Sequence, residues 1–502
     1  MVALFWLLLS ACGALAAAVL WNKPRVPPGK MLPPTPPGHW LWGHVASLLY
    51  PVETLHERLG ALARNHPGIV TLRVGPTWLP RWLSPPIVVV NDPELVRSVF
   101  TGNYGAGTLE HEPEILENVQ TVIGGGLLGT HGSLWKDRRS HIERNFFSIA
   151  ALRNAAPVVE RHIERTMDTL DTRPDPTVPI DLYKRCLIPL LLGVMTKLLF
   201  GIEVGDTRDE KREAEWRQLV EDMGVVFAEF NDRTFRPFKT WRKTSRAHRE
   251  SLPRVGAYID ALIARYRREP DRNRHDMLTI LTKDDGGADD NKNPYDTDEA
   301  VRCEALLFLF AGFESASSTT AYALHLLAHH PEAQEKARQE AREWASHGFD
   351  ALKDLPYIEA VVREGMRLYP IAHMLTRRVT RDITAGDYFI PADTRLLFNN
   401  LGISHSADVW DDPEAFRPER WIGKREQANQ FASMPFGAGI RVCPGQRLAT
   451  LEVKMIMAAL LQRYDFQPDP ADPCLHREVA FIMRPRDYSI LCLPLSSSTS
   501  LF

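Results

Sequence analysis

The segment 296–330 constrains the fold of this chain more than any other stretch. Asp296 is positioned to cap a helix, Glu299 follows three residues later, and Pro331 ends the pattern. The apolar residues 305–310 cover every side of that helix. A helix that is apolar all round must be enclosed by other protein. The sequence therefore predicts a long central helix that crosses the middle of a large folded body.

The rest of the chain also reads as mostly helical. Further helices are predicted over 332–346, 357–368 and 446–461, whereas strands are predicted only over 69–74, 87–91 and 388–399, the last with Pro391 in its turn. The acidic stretch 284–293 is a surface loop by composition, and neither an internal repeat nor a second linker follows residue 39. We expect one large catalytic domain, 39–502, that is mainly α with a small β subdomain.

The N-terminal segment predicts a membrane anchor. Residues 1–21 carry no charge and reach ~30 Å as a helix, about the thickness of one hydrocarbon core. A cleaved signal peptide would begin with basic residues, which are missing here. Lys23, Arg25 and Lys30 follow at once, so the positive-inside rule keeps the chain from residue 22 onward in the cytosol. A buried core helix is the alternative. The prolines of 22–38 exclude a helix there and predict a stiff linker.

Composition excludes several classes of function. The formal net charge of −3 and a pI near 6.6 leave no basic domain that would bind nucleic acid. Six cysteines are scattered without any Cys-x-x-Cys pair, which argues against a disulfide framework or structural zinc.

Cys443 stands apart from the other five cysteines. Glycines precede and follow it, Arg441 lies two residues before it, and a predicted helix starts at Gln446. The positive end of that helix favours a thiolate over a thiol, and a thiolate held in this way suits an iron ligand. The alternative is a buried structural cysteine.

Residues 436–445 match every fixed position of the signature Phe-x-x-Gly-x-Arg-x-Cys-x-Gly, and on these residues the chain resembles the cytochrome P-450 family. The resemblance implies the cytochrome P-450 fold, with haem b between the central helix and the helix that follows Cys443. It also implies that Cys443 is the axial ligand of the haem iron, and that Phe436 and Arg441 contact the cofactor.

Two further segments add haem contacts by the same resemblance. Trp135 and Arg139 match the Trp-x-x-x-Arg of the haem-contacting helix, where one turn of spacing lets both side chains hold a propionate. Taken alone, that segment would be a basic surface turn. Arg377 is the remaining propionate partner implied, and Arg378 is its rival because the two arginines are neighbours.

Glu364 and Arg367 match the family's Glu-x-x-Arg, and their spacing places both side chains on one helix face. Residues 418–421 resemble the segment whose arginine completes that network, here Arg420. The resemblance implies a buried structural triad behind the haem, whereas an exposed ion pair is the alternative reading.

The central helix carries the segment 311–315, Ala-Gly-Phe-Glu-Ser, which resembles the family's oxygen-activating Ala-Gly-x-Asp/Glu-Thr. By resemblance, Ser315 and Glu314 deliver protons at a point where the helix opens over the iron. The sequence departs from the family pattern because Ser315 stands where threonine is usual, which keeps the hydroxyl and removes a methyl group. The alternative is that Ser315 only bonds the carbonyl four residues earlier.

Together these residues indicate a haem-thiolate monooxygenase that inserts one oxygen atom of O2 into a lipophilic small molecule. The resemblance implies NADPH-derived electrons from a flavin reductase, docked near basic groups such as Arg447 and Lys454, and a location in the endoplasmic reticulum membrane. Two rivals stay open. One is an oxygen-independent isomerase or dehydratase acting on hydroperoxides, and the other is a haem carrier or sensor without turnover.

The substrate is not readable from the sequence. We expect its pocket to be lined by 102–128, 371–375 and 480–483, together with Phe308 and Ala311 on the helix face that carries Ser315. These residues are mainly apolar, which favours a lipophilic compound. Terpenoid, steroid, fatty acid and polyketide all remain open.

Overall fold

The structure is a computed structural model that describes residues 24–39, 43–44, 54–73, 75, 86–102, 107–203, 210–235, 243–269, 274–283, 293–344, 349–423, 430–479 and 482–495. The predicted anchor, residues 1–21, lies outside the described residues. Among the residues that the structure does describe, we find no helix with the length and apolarity needed to cross a membrane.

The described helices are α1 (Leu55–Asn65), α2 (Pro93–Thr101), α3 (Pro113–Ile123), α4 (Gly132–Asn145), α5 (Ile149–Asp171), α6 (Ile188–Phe200), α7 (Glu210–Phe235), α8 (Arg246–Arg268), α9 (Met277–Thr282), α10 (Asp298–Ala328), α11 (Pro331–Trp344), α12 (Pro356–Leu368), α13 (Asn400–Ser404) and α14 (Gln446–Arg463). The described strands are β1 (Ile69–Arg73), β2 (Pro86–Val90), β3 (Leu109–Glu110), β4 (Leu375–Val379), β5 (Ile383–Ala385), β6 (Tyr388–Ile390), β7 (Arg395–Phe398), β8 (Tyr464–Pro468), β9 (Arg477–Val479), β10 (Met483–Pro485) and β11 (Ile490–Pro494). The fold is thus mostly helical with a small β part, as predicted.

The chain divides into two compact units, one formed by Met1–Glu112, Ala372–Pro413 and Ala428–Arg441, and the other by Pro113–Ile371, Glu414–Gln427 and Val442–Phe502. The first unit holds a five-stranded sheet in the order β1-β2-β7-β4-β3 and the hairpin of β5 and β6. Its core is an aliphatic and aromatic cluster from the sheet and from α2 that includes Val90, Val96, Leu396 and Phe398. The boundaries predicted for a single domain, 39–502, stay a prediction.

The second unit is built around α10. This helix packs against α6, α8, α12 and α14, and nearly all of its side chains are buried. The predicted central helix is therefore confirmed, with one correction at its start. Thr297, not Asp296, is the N-cap, because its hydroxyl accepts the N–H of Ala300.

The strand predicted over 388–399 is wrong as a single hairpin. Its residues form β6 and β7, which do not pair with each other. β6 pairs with β5, while β7 lies between β2, to which it is parallel, and β4, to which it is antiparallel. The partner β2 lies some three hundred residues earlier in the chain, and such pairing leaves no local sequence signal.

Candidate active site

Cys443 lies immediately before α14, whose N-cap is Gly445. The backbone N–H groups of Gly445 and Gln446 donate to its sulfur. The residue is accessible, yet protein atoms surround its sulfur densely enough for desolvation to be the largest influence on its pKa. Cys443 therefore lies in a concave part of the protein, here called the hollow.

The helix N-terminus predicted to favour a thiolate is present at Cys443, but the cation that acts on its pKa is Arg139 and not the predicted Arg441, and burial acts against both influences. Burial raises the pKa of the thiol, while the Gly445 N–H, the Arg139 charge and the Gln446 N–H lower it. In the protein alone burial is the stronger effect. A coordinating metal ion deprotonates a thiol outright, so this environment suits a metal ligand better than a free thiolate.

The two predicted residues of α4 lie one turn apart. Arg139 is buried, and its guanidinium donates from Nη1 to the Val442 carbonyl at 2.6 Å and from Nε to the Glu143 carboxylate at 2.7 Å. Arg139 thereby ties α4 to the backbone just before Cys443, a contact that sequence reasoning missed. Trp135 is half-buried on the same helix.

The first unit holds a second cluster of predicted residues. Arg377 is buried, and the pKa of this arginine is lowered to about 10 by burial and by the like charge of Arg441, against a smaller opposite effect of Glu112. The structure separates Arg377 from its rival, because Arg378 points outward and pairs with Asp393 at 2.5 Å. His111 lies within 102–128, the stretch predicted to line the substrate pocket, but its contact with these arginines was not predicted. Burial, Arg377 and Arg441 together lower its pKa to about 3, so it stays neutral beside the two cations.

Each unit by itself holds residues that fit part of a haem. In the second unit, Cys443 supplies an accessible sulfur that receives two backbone N–H groups. In the first unit, the neighbouring like charges of Arg377 and Arg441 favour binding of an anion such as a propionate. The turn before the cysteine requires Gly439, whose φ is +71° and whose absent Cβ would come within 2.8 Å of the Phe100 ring. Phe436 is half-buried in the same segment.

A chain of aromatic contacts brings α10 close to the Cys443 backbone. The Phe308 ring of α10 lies 5.7 Å from the Phe147 ring, centroid to centroid. A Cβ built on Gly445 would lie 3.8 Å from that same Phe147 ring and 3.9 Å from the Cys443 sulfur. Since Ser315 lies two turns beyond Phe308 on the same helix face, this face is directed to the side of α10 on which Cys443 lies.

Ser315 and Ala311 form an accessible stripe in the largely buried middle of α10. Ala311 is exposed and Ser315 is half-buried. The Ser315 hydroxyl donates to the Ala311 carbonyl at 2.7 Å, which is the back-bond expected of a structural serine. The opening implied by resemblance is not an interruption, because α10 is continuous from Asp298 to Ala328. Gly312 permits close packing here, since a Cβ would lie 2.4 Å from the end of the Met195 side chain.

Glu314 is buried and forms an ion pair with Arg484 of β10, Oε1 to Nη1, at 2.5 Å. Arg484 also binds Glu478 of β9 through its Nε. Glu314 is therefore connected to two half-exposed charged residues of the β9–β10 hairpin, contacts that sequence reasoning did not anticipate.

Glu364 and Arg367 form a fully buried pair, Oε1 to Nη2 at 2.7 Å, with both side chains 0% exposed. Glu364 also accepts from Arg420 Nε at 3.1 Å and from the Trp421 indole N–H at 2.8 Å. The exposed ion pair considered as an alternative is thus excluded. Trp421 was missed because only the arginine of its segment was read as a partner.

A cavity of about 250 Å³ lies beside α10, but not on the predicted face. Its apolar walls come from α6, α7 and α10, and the ion pair of Glu314 and Arg484 lies at its edge. Sequence reasoning missed the whole contribution of α7, for which the only signal was the four-residue spacing of Val220, Gly224 and Ala228. Parts of the predicted lining, 103–106 and 480–481, lie outside the described residues.

One predicted surface contact is wrong. Lys454 is buried on α14 and forms an ion pair with Glu359 at 3.0 Å, so it is no docking residue. The sequence placed Lys454 on the helix that follows Cys443, but it did not show that other protein covers the side of α14 that carries this lysine. Arg447 is exposed, as the prediction required.

Comparison with known proteins extends over nearly the whole chain. The family model described as Cytochrome P450 matches residues 33–492. Human cytochrome P450 4F12 is 26% identical over 90% of this chain and 87% of its own, and mouse leukotriene-B4 omega-hydroxylase 3 is 25% identical over the same shares. Cytochrome P450 93B2 of Gerbera hybrida is 26% identical over 94% and 93%. Among solved structures, cytochrome P450 CYP102L1 superposes with a TM-score of 0.77 at 22% identity, covering 94% of this chain and 100% of that one.

Proposed function

This chain belongs to the cytochrome P450 family and is a monooxygenase of that family, and we propose that it inserts one oxygen atom of O2 into a lipophilic small molecule with electrons from a flavin-containing NADPH reductase. We propose that residues 1–21 anchor it in the endoplasmic reticulum membrane with the catalytic domain in the cytosol. Haem, when bound, supplies the oxygen-activating chemistry.

The proposal depends most on the environment of Cys443. An accessible sulfur with two backbone N–H donors and the Arg139 charge nearby is a site that holds a thiolate once a metal ion is present. Arg139 positions this backbone by holding the Val442 carbonyl. Arg377 and Arg441 are the proposed partners of the propionates, while Trp135 and Phe436 complete the contacts to the cofactor.

Ser315 is the proposed proton donor, and its geometry is compatible with that role. In the resting protein its hydroxyl donates to the Ala311 carbonyl. Because Ser315 is only half-buried, the hydroxyl can rotate away from that carbonyl and donate to a group bound in the hollow instead. Glu314 is the proposed source of the replacement proton. Its ion pair with Arg484 leads toward Glu478, whose side chain is partly exposed to solvent.

The substrate skeleton does not follow from the relatives. One is named a leukotriene-B4 omega-hydroxylase and another a flavonoid-6-hydroxylase, which are two different compound classes. Support for a lipophilic substrate comes from the apolar face around Ser315, to which Phe308 and Ala311 contribute.

The test uses the full chain in membranes with a flavin reductase and a panel of terpenoid, steroid, fatty-acid and polyketide compounds. We expect at least one compound to stimulate NADPH consumption and to gain one labelled atom from isotope-labelled O2. Conversion of a hydroperoxide without NADPH or O2 would instead identify the isomerase or dehydratase. A thiolate spectrum without any turnover across the panel would identify the carrier.

A further inference from the structure

The cavity beside α10 lies on the face opposite to the one that carries Ser315. Its α10 wall is Leu309 and Phe313, which are four residues apart and share one stripe. Ala311 and Ser315 form a parallel stripe displaced by two residues, which is ~200° around a helix of 3.6 residues per turn. The two stripes therefore face away from each other, and Glu314, which lies between them on the helix, is the α10 residue that both lines the cavity and belongs to the proposed proton route.

The walls of this cavity are apolar, and α7 contributes one stripe of large residues, Leu219, Met223 and Phe227, and one stripe of smaller residues. Val220, Gly224 and Ala228 recur every four residues on that stripe, and Ile188 and Leu192 of α6 complete the wall. A Cβ built on Gly224 would meet no atom within 4 Å, so open space lies directly beside the helix backbone. Packing between α6, α7 and α10 thus leaves this volume unfilled.

One polar feature borders the apolar space. Glu314 lines the cavity with a side chain that is only 9% exposed, and Arg484 holds it by the ion pair described above. Glu478 is a second carboxylate on the same guanidinium, so the three charges sum to −1. The excess negative charge disfavours an anionic ligand, and the Glu314 carboxylate with the N–H groups of Arg484 can both accept from and donate to a hydroxyl.

We propose that this cavity is a second small-molecule site, separate from the oxidation site, and that it takes a compact lipophilic alcohol whose hydroxyl meets Glu314 and Arg484. The volume of about 250 Å³ exceeds the ~150 Å³ of a cavity that holds benzene and falls below the ~300 Å³ at which drug-sized sites begin. A compact cage or bicyclic skeleton matches this size. The inference does not depend on Cys443 holding iron.

The probes are adamantanol and adamantane carboxylate, which share one rigid skeleton and differ in charge. Their binding to the purified full-length holoprotein is measured by calorimetry. In a separate titration, binding of an azole that ligates the haem iron measures whether the opposite side of α10 is intact. We expect one equivalent of adamantanol to bind, and the carboxylate to bind at least about tenfold more weakly because of the excess negative charge.

Two substitutions of Gly224 separate the cavity from the rest of the fold. Gly224→Phe fills the open space and should weaken adamantanol binding by about tenfold or more, while azole binding is unchanged. Gly224→Ala, the matched control, keeps most of the volume and should bind adamantanol like the wild type. Ala228→Phe, one turn later, replaces Gly224→Phe if that variant yields no holoprotein.

Ala311→Phe places the same bulk on the opposite face of α10. It should weaken azole binding and leave adamantanol binding intact. The proposal is overturned if adamantanol does not bind, if Ala311→Phe abolishes its binding while Gly224→Phe does not, or if the carboxylate binds as tightly as the alcohol.

Discussion

Replacing Glu364 by alanine should prevent accumulation of the holoprotein. Both partners of the Glu364–Arg367 pair are 0% exposed, so the substitution leaves the Arg367 guanidinium as a buried charge without its counterion. Breaking a buried pair in this way costs ~3–5 kcal/mol. The Trp421 indole N–H and the Arg417 backbone N–H also lose their acceptor, at ~1–3 kcal/mol each if no water replaces it.

These costs approach the whole stability of a typical domain, ~5–15 kcal/mol. They also affect the segment of residues 415–421, because Arg367 additionally holds the Ala415 carbonyl and Glu364 holds Arg420. Glu364→Gln removes the charge and keeps the shape of the side chain, but it also turns an N–H2 group toward donors such as the Arg367 guanidinium. We expect it to be recovered poorly as well.

The chain provides a matched control for this experiment. Glu94 and Arg97 have the same three-residue spacing and an ion-pair distance of 2.7 Å, but their side chains are 59% and 54% exposed. Glu94→Ala should therefore cost no more than ~1 kcal/mol. The assay is haem absorbance per purified chain, followed by urea unfolding monitored through the haem band. If Glu364→Ala retains full haem and unfolds at the same urea concentration as Glu94→Ala, burial does not decide the importance of this pair.

Three further predictions address proton delivery, the anchor and a buried acid. Ser315→Ala should keep fold, haem and substrate affinity but lower product per NADPH and raise peroxide release, whereas Ser315→Thr should restore coupling; unchanged coupling in the alanine variant would leave only the back-bond to Ala311. Deleting residues 1–21 should release protein from membranes with its haem retained, and a haem-free product would assign the segment to the fold. Glu452 is buried, and burial raises its pKa from 4.5 to about 8. As pH rises from 4.5 to about 8, the unfolded chain ionises this carboxyl while the folded protein keeps it neutral, so the free energy of unfolding falls. Glu452→Gln should therefore gain roughly 3 kcal/mol over wild type between pH 5 and pH 8 by urea unfolding, and a difference independent of pH would contradict this assignment.

The parts of the fold that follow local rules could be predicted from the sequence. The central helix carries a continuous apolar run and a capping sequence, so its extent was correct to about two residues. Glu364 and Arg367 share a helix face by spacing alone, and their contact follows from that spacing.

The parts that depend on distant neighbours could not be predicted. β7 pairs with β2 across some three hundred residues, and no property of residues 395–398 names that partner. Lys454 and Arg447 have the same charge on one helix, and only the packing of α14 makes one buried and the other exposed. Likewise Arg377 and Arg378 are adjacent in the sequence, and alternation along a strand directs their side chains to opposite faces. Which of the two faces inward is known only once β4 is placed between β7 and β3.

The spectrum of the reduced, CO-bound protein tests the central claim most directly. A thiolate ligand gives a red-shifted CO band, and a serine hydroxyl is a far weaker donor to iron. We predict that the wild-type protein shows this band and that Cys443→Ser loses it together with substrate-dependent NADPH consumption. Cys474→Ser, which removes another exposed cysteine, should leave both unchanged. A Cys443→Ser variant that keeps the red-shifted band and full activity would show that another residue is the iron ligand.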